Sequence, residues 1–188
     1  MGFESLSKVG KLHTLSKDSV LCREGEDGET AFIVLSGAVR VVLNSFSANP
    51  YIVTTLMPGS FVGEMSLFLK HKRTATVITV NDNTSVLEIG MDNFKDYLKE
   101  DAATCFKLMK SLTNRVDGML EKVGKIDKKF EYKFRSNSYY QLAHQLFQSQ
   151  FAKLVSENAD GAIALITFLC SSLKELNDRF LDSENHLQ

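Results

Sequence analysis

The chain has 188 residues, of which 44% are hydrophobic and 24% are charged, and its formal net charge is −1. This composition is typical of a globular protein, and the balanced charge excludes a general attraction to nucleic acid or to an anionic membrane. The longest apolar run, residues 162–170, is too short to cross a bilayer. Three widely spaced cysteines without a C-x-x-C pair indicate reduced thiols, so we expect a cytoplasmic protein.

The first half of the chain consists of short β-branched and aromatic runs separated by turn residues. This pattern predicts strands at residues 32–35, 39–43, 51–56, 75–80 and 85–89. Many short strands at even spacing favour an antiparallel β-roll or jelly-roll barrel over a parallel sheet. We expect this barrel to occupy residues 1–98 and to be preceded by only a short helical segment.

The residues between the third and fourth of these strands combine the features of an anion-binding loop. Gly59 and Gly63 allow sharp turns and a close approach of the backbone to a ligand. Residues 65–68 predict one helical turn, whose N–H groups and dipole favour a phosphate. Arg73 can bind two phosphate oxygens at once, whereas Glu64 can accept a hydrogen bond from a sugar hydroxyl. Each of these two also fits a surface ion pair, but together they indicate a ligand with both groups.

This loop resembles the phosphate-binding cassette of the cyclic nucleotide-binding domain family. The resemblance lies in Phe61-Val62-Gly63-Glu64-Met65-Ser66-Leu67, followed by Arg73-Thr74-Ala75-Thr76-Val77. Residues 20–41, with their spaced turn glycines, are similar to the first hairpins of the family. Several motifs in the right order, over roughly residues 10–125, are more specific than one short pattern.

The resemblance implies a role for each matching residue. The residue at the position of Glu64 binds the ribose 2′-hydroxyl, and the one at Arg73 binds the cyclic phosphate. Backbone N–H groups at Met65 and Ser66 complete the phosphate shell, and Thr74 bonds the phosphate or a syn base. The predicted nucleotide-binding set is Val62, Gly63, Glu64, Met65, Ser66, Arg73, Thr74 and Ala75. Lys72 replaces the proline that many relatives have before the arginine, which is a small loop change.

The resemblance says less about the base. The catabolite activator branch uses a Thr-Ser pair on its long helix to contact adenine, whereas alignment by Glu121-Lys122-Val123-Gly124 brings Met119 and Leu120 to those positions. We predict these two as an apolar lid over the base. A threonine at position 74 occurs in relatives that bind cGMP and also in those that bind cAMP. We favour cAMP over cGMP, and a pyrimidine cyclic nucleotide stays open.

From Asp92 onward the hydrophobic period becomes helical. A seam with alternating spacings of four and three residues predicts one long helix at 99–130. Its members are Cys105, Met109, Leu112, Val116, Met119, Val123 and Ile126. A sustained seam favours a partner helix, so we expect a homodimer through residues 105–126, although the seam would also fit packing on its own barrel. Gly118 weakens this helix by about 1 kcal/mol.

The remaining residues, 131–188, predict a C-terminal helical region. The basic stretch at 122–135 indicates a solvated helix end and linker more than a nucleic-acid or membrane patch. Residues 137–181 predict a helical hairpin, in which Asn137 caps one helix and Asp160 caps the other.

These features favour an α+β cyclic nucleotide sensor without catalytic activity, metal or cofactor. The alternative is a DNA-binding transcriptional regulator of the catabolite activator and fumarate-nitrate regulator type, which the acidic tail after Arg135 disfavours. No nucleophile-elbow, Walker or zinc motif occurs, and the four histidines have no metal-binding spacing. A degenerate domain that binds nothing is disfavoured by Glu64 and Arg73 together.

Overall fold

The computed structural model of the chain describes residues 9–46 and 50–185, with side chains described up to residue 180. It divides into two compact units, one that ends at Tyr97 and one that begins at Leu98. The first unit holds antiparallel sheets and the second is helical, which confirms the predicted α+β class. The finer division of the chain at residues 98 and 130 stays a prediction.

Eight strands build the first unit. They are β1 Lys11–Leu15, β2 Val20–Cys22, β3 Thr30–Ser36, β4 Val39–Leu43, β5 Tyr51–Leu56, β6 Phe61–Val62, β7 Thr76–Thr79 and β8 Thr84–Gly90. One antiparallel sheet has the order β1-β8-β3-β6 and the other has the order β2-β7-β4-β5. The five predicted strands are confirmed, whereas β1, β2 and β6 are additional and too short or too exposed for a clear sequence pattern.

The two sheets meet in a core of alternating apolar side chains. Its buried members are Cys22, Phe32, Val34, Val39, Val62, Val77 and Val86. Burial of a valine or phenylalanine side chain contributes about 1.5–3 kcal/mol to stability. Because Val62 and Val77 belong to this core, the loop between β6 and β7 is anchored at both ends.

Seven helices complete the described chain. They are α1 Glu64–Leu69, α2 Met91–Glu100, α3 Ala102–Gly124, α4 Lys128–Arg135, α5 Ser138–Gln145, α6 Gln148–Glu157 and α7 Ala159–Asn185. Among the residues that the structure describes, no helix combines the length and apolarity needed to cross a bilayer.

The predicted long helix at 99–130 is shorter than expected. Asp101 separates α2 from α3 because its side chain accepts a hydrogen bond from the Thr104 N–H at 3.0 Å and so begins a new helix. Asp127 caps α4 in the same way, with its Oδ1 2.9 Å from the Phe130 nitrogen. Most of the basic stretch is therefore helix α4 and not a linker, and an ion pair between Arg135 and Glu131 at 2.9 Å spans one turn of it.

The seam of α3 is covered within the same chain. Cys105, Met109, Leu112, Val116 and Val123 are each at most 3% exposed, and α3 packs along α7. The pattern indicated a helix partner, but the expectation that this partner is a second copy was wrong for these buried residues. A spacing pattern identifies a covered face and does not say which chain covers it.

The outer members of the seam are different. Met119 is half-buried, and Ile126 is 57% exposed because it follows the end of α3. Homodimerisation itself stays a prediction.

The predicted hairpin at 137–181 contains three helices and not two. Asn137 caps α5 as predicted, since its Oδ1 accepts from the Tyr139 and Tyr140 nitrogens at 2.9 and 3.3 Å. The backbone of Leu146 is extended, with φ −68° and ψ 130°, and this ends α5 before α6 begins. The cap of α7 is Asn158, whose Oδ1 lies 2.8 Å from the Gly161 nitrogen, and Asp160 lies in the first turn instead.

A polar network around Tyr140 connects α3, α4 and α5. The Tyr140 hydroxyl donates to Asp117 Oδ1 at 2.6 Å and accepts from Arg135 Nη1 at 2.9 Å. His144 Nε2 lies 3.1 Å from the same Asp117 oxygen. Burial, together with the hydrogen bond to Asp117, raises the pKa of Tyr140 to about 12.

The first prediction concerns this network. Because the folded-state pKa of Tyr140 is raised from 10.0 to about 12, its stabilisation is complete below pH 10 and is lost as the pH rises through 12. We expect Tyr140→Phe to lower the free energy of unfolding by about 1–3 kcal/mol near neutral pH and to remove this alkaline loss, measured by urea denaturation. Tyr139→Phe is the control, because Tyr139 is 46% exposed and a phenylalanine keeps the ring that stacks on Phe168. Equal effects of the two variants would contradict the prediction.

The second prediction concerns Gly118 in α3. A Cβ added there meets no atom within 4 Å, so an alanine gains helix propensity without a clash. We expect Gly118→Ala to raise the free energy of unfolding by about 1 kcal/mol in the same assay. Gly124→Ala is the matched control, because its Cβ would overlap the Glu131 carboxylate. A destabilised Gly118→Ala protein would show that this position needs close approach by another group.

Candidate functional site

The cassette begins with two turns that require glycine. Gly59 and Gly63 have φ values of 87° and 77°, in the left-handed region where a side chain is strained. Helix α1 follows Gly63 directly and ends at Leu69, and the next residue, Lys70, has a φ of 51°. The helical turn predicted at residues 65–68 is thereby confirmed.

The side chains of the cassette are largely buried. Val62, Glu64, Met65 and Ser66 are between 2% and 6% exposed. Glu64 lies in the first turn of α1, where the positive end of the helix dipole favours a carboxylate. Most side chains of this short helix therefore lie inside the first unit.

Helix α1 packs against α2 through a pair of aromatic rings. The ring of Phe68 meets the ring of Phe94 in α2 edge to face, with centroids 5.1 Å apart. Such pairs contribute about 0.5–1.5 kcal/mol beyond their buried area. This contact links the position of the cassette to the position of α2.

Arg73 is buried between three segments of the first unit. Its side chain is 7% exposed, and its guanidinium lies over the ring of Phe32. Nη1 donates to the carbonyl oxygens of Thr30 and Gly63 at 2.6 and 3.2 Å, and Nη2 donates to Thr30 Oγ1 at 3.0 Å. A guanidinium has five N–H donors. Among the described residues three donors are used, which leaves two for an anion.

The position of the Arg73 side chain depends on two residues that the sequence analysis did not identify. Thr30 supplies two of its three acceptors. Gly28 lies so close that a Cβ there would overlap Nε and Cζ of the guanidinium. Gly28 was recognisable only as a turn glycine, and nothing in the spacing of Thr30 indicated its role.

A chain of hydrogen bonds orients Thr30. Its hydroxyl donates to Glu88 Oε1 at 3.0 Å, so an oxygen lone pair is left to accept from Arg73. Glu88 Oε2 in turn lies 2.7 Å from His13 Nε2. The three residues come from β3, β8 and β1, which are neighbours in one sheet. The sheet therefore fixes the acceptor that holds the guanidinium.

The charge of Arg73 is not neutralised by the nearby thiol. Burial raises the pKa of Cys22, and this outweighs the opposite effect of the Arg73 charge. A neutral thiol leaves the positive charge of Arg73 available to a ligand. Thr74, next in sequence, is exposed, and Ala75 is half-buried.

The two predicted lid residues lie on α3 in the helical unit. Leu120 is fully buried, whereas Met119 is half-buried. Leu120 therefore has to leave its packing in order to cover a base. The lid stays a prediction.

A cavity of about 520 Å³ opens beside α1. It is lined by Asp27, Gly28, Glu29, Thr30, Ser66, Leu67, Lys70, His71, Gly90, Met91 and Asp92, so Ser66 alone represents the predicted binding set. Its carboxylates oppose an anion, and among its lining residues Lys70 is the one lysine or arginine that counters them. Within the described part of the chain, His71 Nε2 is buried without a hydrogen-bond partner, while its Nδ1 faces the Lys72 carbonyl. This cavity is a poor place for a phosphate.

No group of three or more histidine, cysteine, aspartate or glutamate side chains within the described residues is arranged to hold a metal ion.

Comparison with known proteins connects this geometry to a family. Residues 12–101 match the family described as Cyclic nucleotide-binding domain. The cAMP-activated global transcriptional regulator CRP of Salmonella typhimurium is 24% identical over 115 residues, which are 61% of this chain and 55% of that regulator. A cGMP-dependent protein kinase of Eimeria tenella is 30% identical over 97 residues, which are 52% of this chain and 9% of the kinase. The chain thus spans about half the length of the regulator and a small part of the kinase.

A solved structure of a cyclic nucleotide-binding-like protein from Brucella abortus is 20% identical and has a TM-score of 0.43, covering 50% of this chain and 80% of that one. The matched family region contains all eight strands except the first residue of β1, together with the whole cassette. Through residues 12–101, the chain belongs to the cyclic nucleotide-binding domain family.

Proposed function

We propose that this chain is a regulatory protein that senses a cyclic nucleotide through the cassette between β6 and β7. The observation that carries the proposal is the buried guanidinium of Arg73, which among the described residues keeps two N–H donors unused and is held at Gly63, directly before α1. A desolvated guanidinium with unused donors favours an anion strongly, because charge-assisted hydrogen bonds are about twice as strong as neutral ones.

Each residue of the predicted set then has a role. The cyclic phosphate binds Arg73 and the backbone N–H groups of Met65 and Ser66. The Glu64 carboxylate accepts a hydrogen bond from the ribose 2′-hydroxyl, which compensates for placing a carboxylate near a phosphate. The backbone of Val62 and Gly63 lies close to the ligand, and Thr74 and Ala75, which follow Arg73, border it.

Adenine is the proposed base. Met119 and Leu120, the predicted lid residues, offer apolar surface and no hydrogen bonds. Burying the exocyclic oxygen and amino group of guanine against such a surface leaves polar groups unpaired, and this costs more than for adenine. The argument supports cAMP over cGMP.

Ligand binding is proposed to act through competition for Arg73. A ligand shifts a conformational equilibrium only by its different affinity for the two states. The phosphate draws the guanidinium away from Thr30, and α1 moves with the phosphate that it binds. Because Phe68 packs on Phe94, this motion reaches α2, which Asp101 alone connects to the long helix α3. The output is therefore a movement of α3.

The name of the regulator from Salmonella raises a DNA-binding function as the alternative. The helices after Arg135 oppose it. Their described cations are already paired one turn away with carboxylates: Lys153 with Glu157, Lys174 with Asp178, and Arg179 with Glu175. Exposed pairs of this kind are weak, but three cations against six carboxylates after Arg135 give a phosphate backbone little to bind. We therefore propose a non-catalytic sensor in the cytoplasm whose output is made through protein contacts.

The third prediction tests the nucleotide site. By titration calorimetry, we expect micromolar or tighter binding of cAMP and weaker binding of cGMP. Arg73→Lys keeps the charge but loses the forked geometry, so the affinity for cAMP should fall by at least about tenfold. Glu64→Gln should weaken the binding of cAMP more than that of inorganic phosphate, because phosphate has no ribose hydroxyl for Glu64 to accept from. Arg179→Lys is the control, since Arg179 lies in α7 of the helical unit and is 46% exposed. Unchanged binding by Arg73→Lys in a folded protein would refute the site.

The fourth prediction tests the role of Thr30. Thr30→Val keeps the shape of the side chain but removes the hydroxyl that links Arg73 to Glu88. We expect several-fold tighter cAMP binding, because the phosphate no longer has to displace this hydroxyl from the guanidinium, and a return to the original affinity in Thr30→Ser, which restores the hydroxyl. Adenosine, which lacks the phosphate, should bind both variants as it binds the unaltered protein. Weaker binding by Thr30→Val, or an equal change in Thr30→Val and Thr30→Ser, would contradict competition for Arg73.

A further inference from the structure

Strand β5 and its flanks form an exposed apolar surface on the first unit. Phe46, Tyr51, Ile52, Val53 and Met57 are 75%, 64%, 52%, 48% and 59% exposed, respectively. We call these five residues the β5 surface. Successive residues of a strand point to opposite faces, so the exposure of Tyr51 and Ile52 together means that neither face of the strand is covered there.

The strand also stands at the edge of its sheet. It pairs with β4 on one side, and the order β2-β7-β4-β5 leaves its other side without a strand among the described residues. Natural edge strands are protected by charges, prolines, short length or a bulge. No charged residue occurs between Arg40 and Glu64, and the only device within β5 is the bulge at Val53. The edge is therefore open to pairing.

The other sheet edges of the described first unit are unlike β5. β2 has three residues and lies between the charged pairs Lys17-Asp18 and Arg23-Glu24. β1 carries Lys11 and also His13, which is bound to Glu88. β6 has two residues, and both are buried. If a second copy approached β5 with its β1, β2 or β6, it would bring charged residues or a short strand to the contact. Its own β5 is uncharged and equally long.

We propose that the β5 surface is a contact between two copies of this chain, related by a two-fold axis that places β5 against β5 in antiparallel orientation. The same patch then serves both partners, so the assembly closes at two copies and does not grow. The main-chain groups of the edge pair with each other, and the flanking Phe46 and Met57 extend the apolar contact beyond the strand. Because the β5 surface is uncharged, the association does not depend on salt. This inference does not rest on nucleotide binding.

The test is sedimentation velocity on the full chain over a range of concentrations and at low and high salt. We expect a reversible monomer–dimer equilibrium that salt does not weaken. Val53→Lys places like charges against each other in the dimer, so the dissociation constant should rise by at least about tenfold. Val53 is 48% exposed, and thermal denaturation should show that the variant stays folded.

Two lysine variants elsewhere are matched controls. Val20→Lys alters β2, the opposite edge of the same sheet, where Val20 is 38% exposed. Ile126→Lys alters the exposed end of the α3 seam. Both should leave the dimer intact. A monomer at every concentration, an open-ended series of larger species, or a dimer lost in either control and kept in Val53→Lys would overturn the proposal.

A cross-link locates the contact directly. Cys22, Cys105 and Cys170 are buried, so a cysteine introduced on β5 is the reactive thiol. We expect Val53→Cys or Thr54→Cys to form a disulfide-linked dimer under mild oxidation, because both lie at the middle of the strand. Val20→Cys should stay monomeric. Cross-linking by Val20→Cys alone would place the contact elsewhere and overturn the proposal.

Discussion

The buried guanidinium of Arg73 is the interaction on which the cassette depends. Removing a cation from water costs several kcal/mol unless hydrogen bonds replace those of the solvent. Here the carbonyls of Thr30 and Gly63 and the Thr30 hydroxyl accept these hydrogen bonds. Thr30 begins β3, Gly63 follows β6 and Arg73 precedes β7, so the bonds hold the three segments together. The loop is thus shaped around the Arg73 guanidinium, and under the proposed function a phosphate competes with these contacts.

The two units differ in how completely their apolar side chains are buried. In the helical unit, α3 buries its seam against α7, and interior residues such as Leu112, Phe151 and Leu165 are fully buried. In the first unit the core between the sheets is equally closed, but of β5 only Leu56 packs against it, and residues 51–55 are exposed. The apolar seam of the long helix is therefore covered within the chain, whereas most of β5 is not.

The cassette was predictable from sequence because its chemistry is local. Gly63, the helical turn after it and Arg73 lie within a short segment, and each residue type has a specific reason to be there. Thr30 was not predictable, because it reaches Arg73 only through the pairing of β3 with β6 and β8. A helical period likewise does not mark where one helix ends, so the breaks at Asp101 and Leu146, which depend on caps and backbone conformation, were missed.

The most direct test is a crystal structure of the chain with cAMP. The cassette hypothesis predicts a phosphate oxygen within hydrogen-bond distance of the Arg73 guanidinium and of the Met65 and Ser66 nitrogens, with Glu64 at the ribose 2′-hydroxyl. It also predicts that Arg73 gives up at least one of its bonds to Thr30. A nucleotide bound in the cavity beside His71 and Asp92, with Arg73 still held by Thr30 and Gly63, would contradict it.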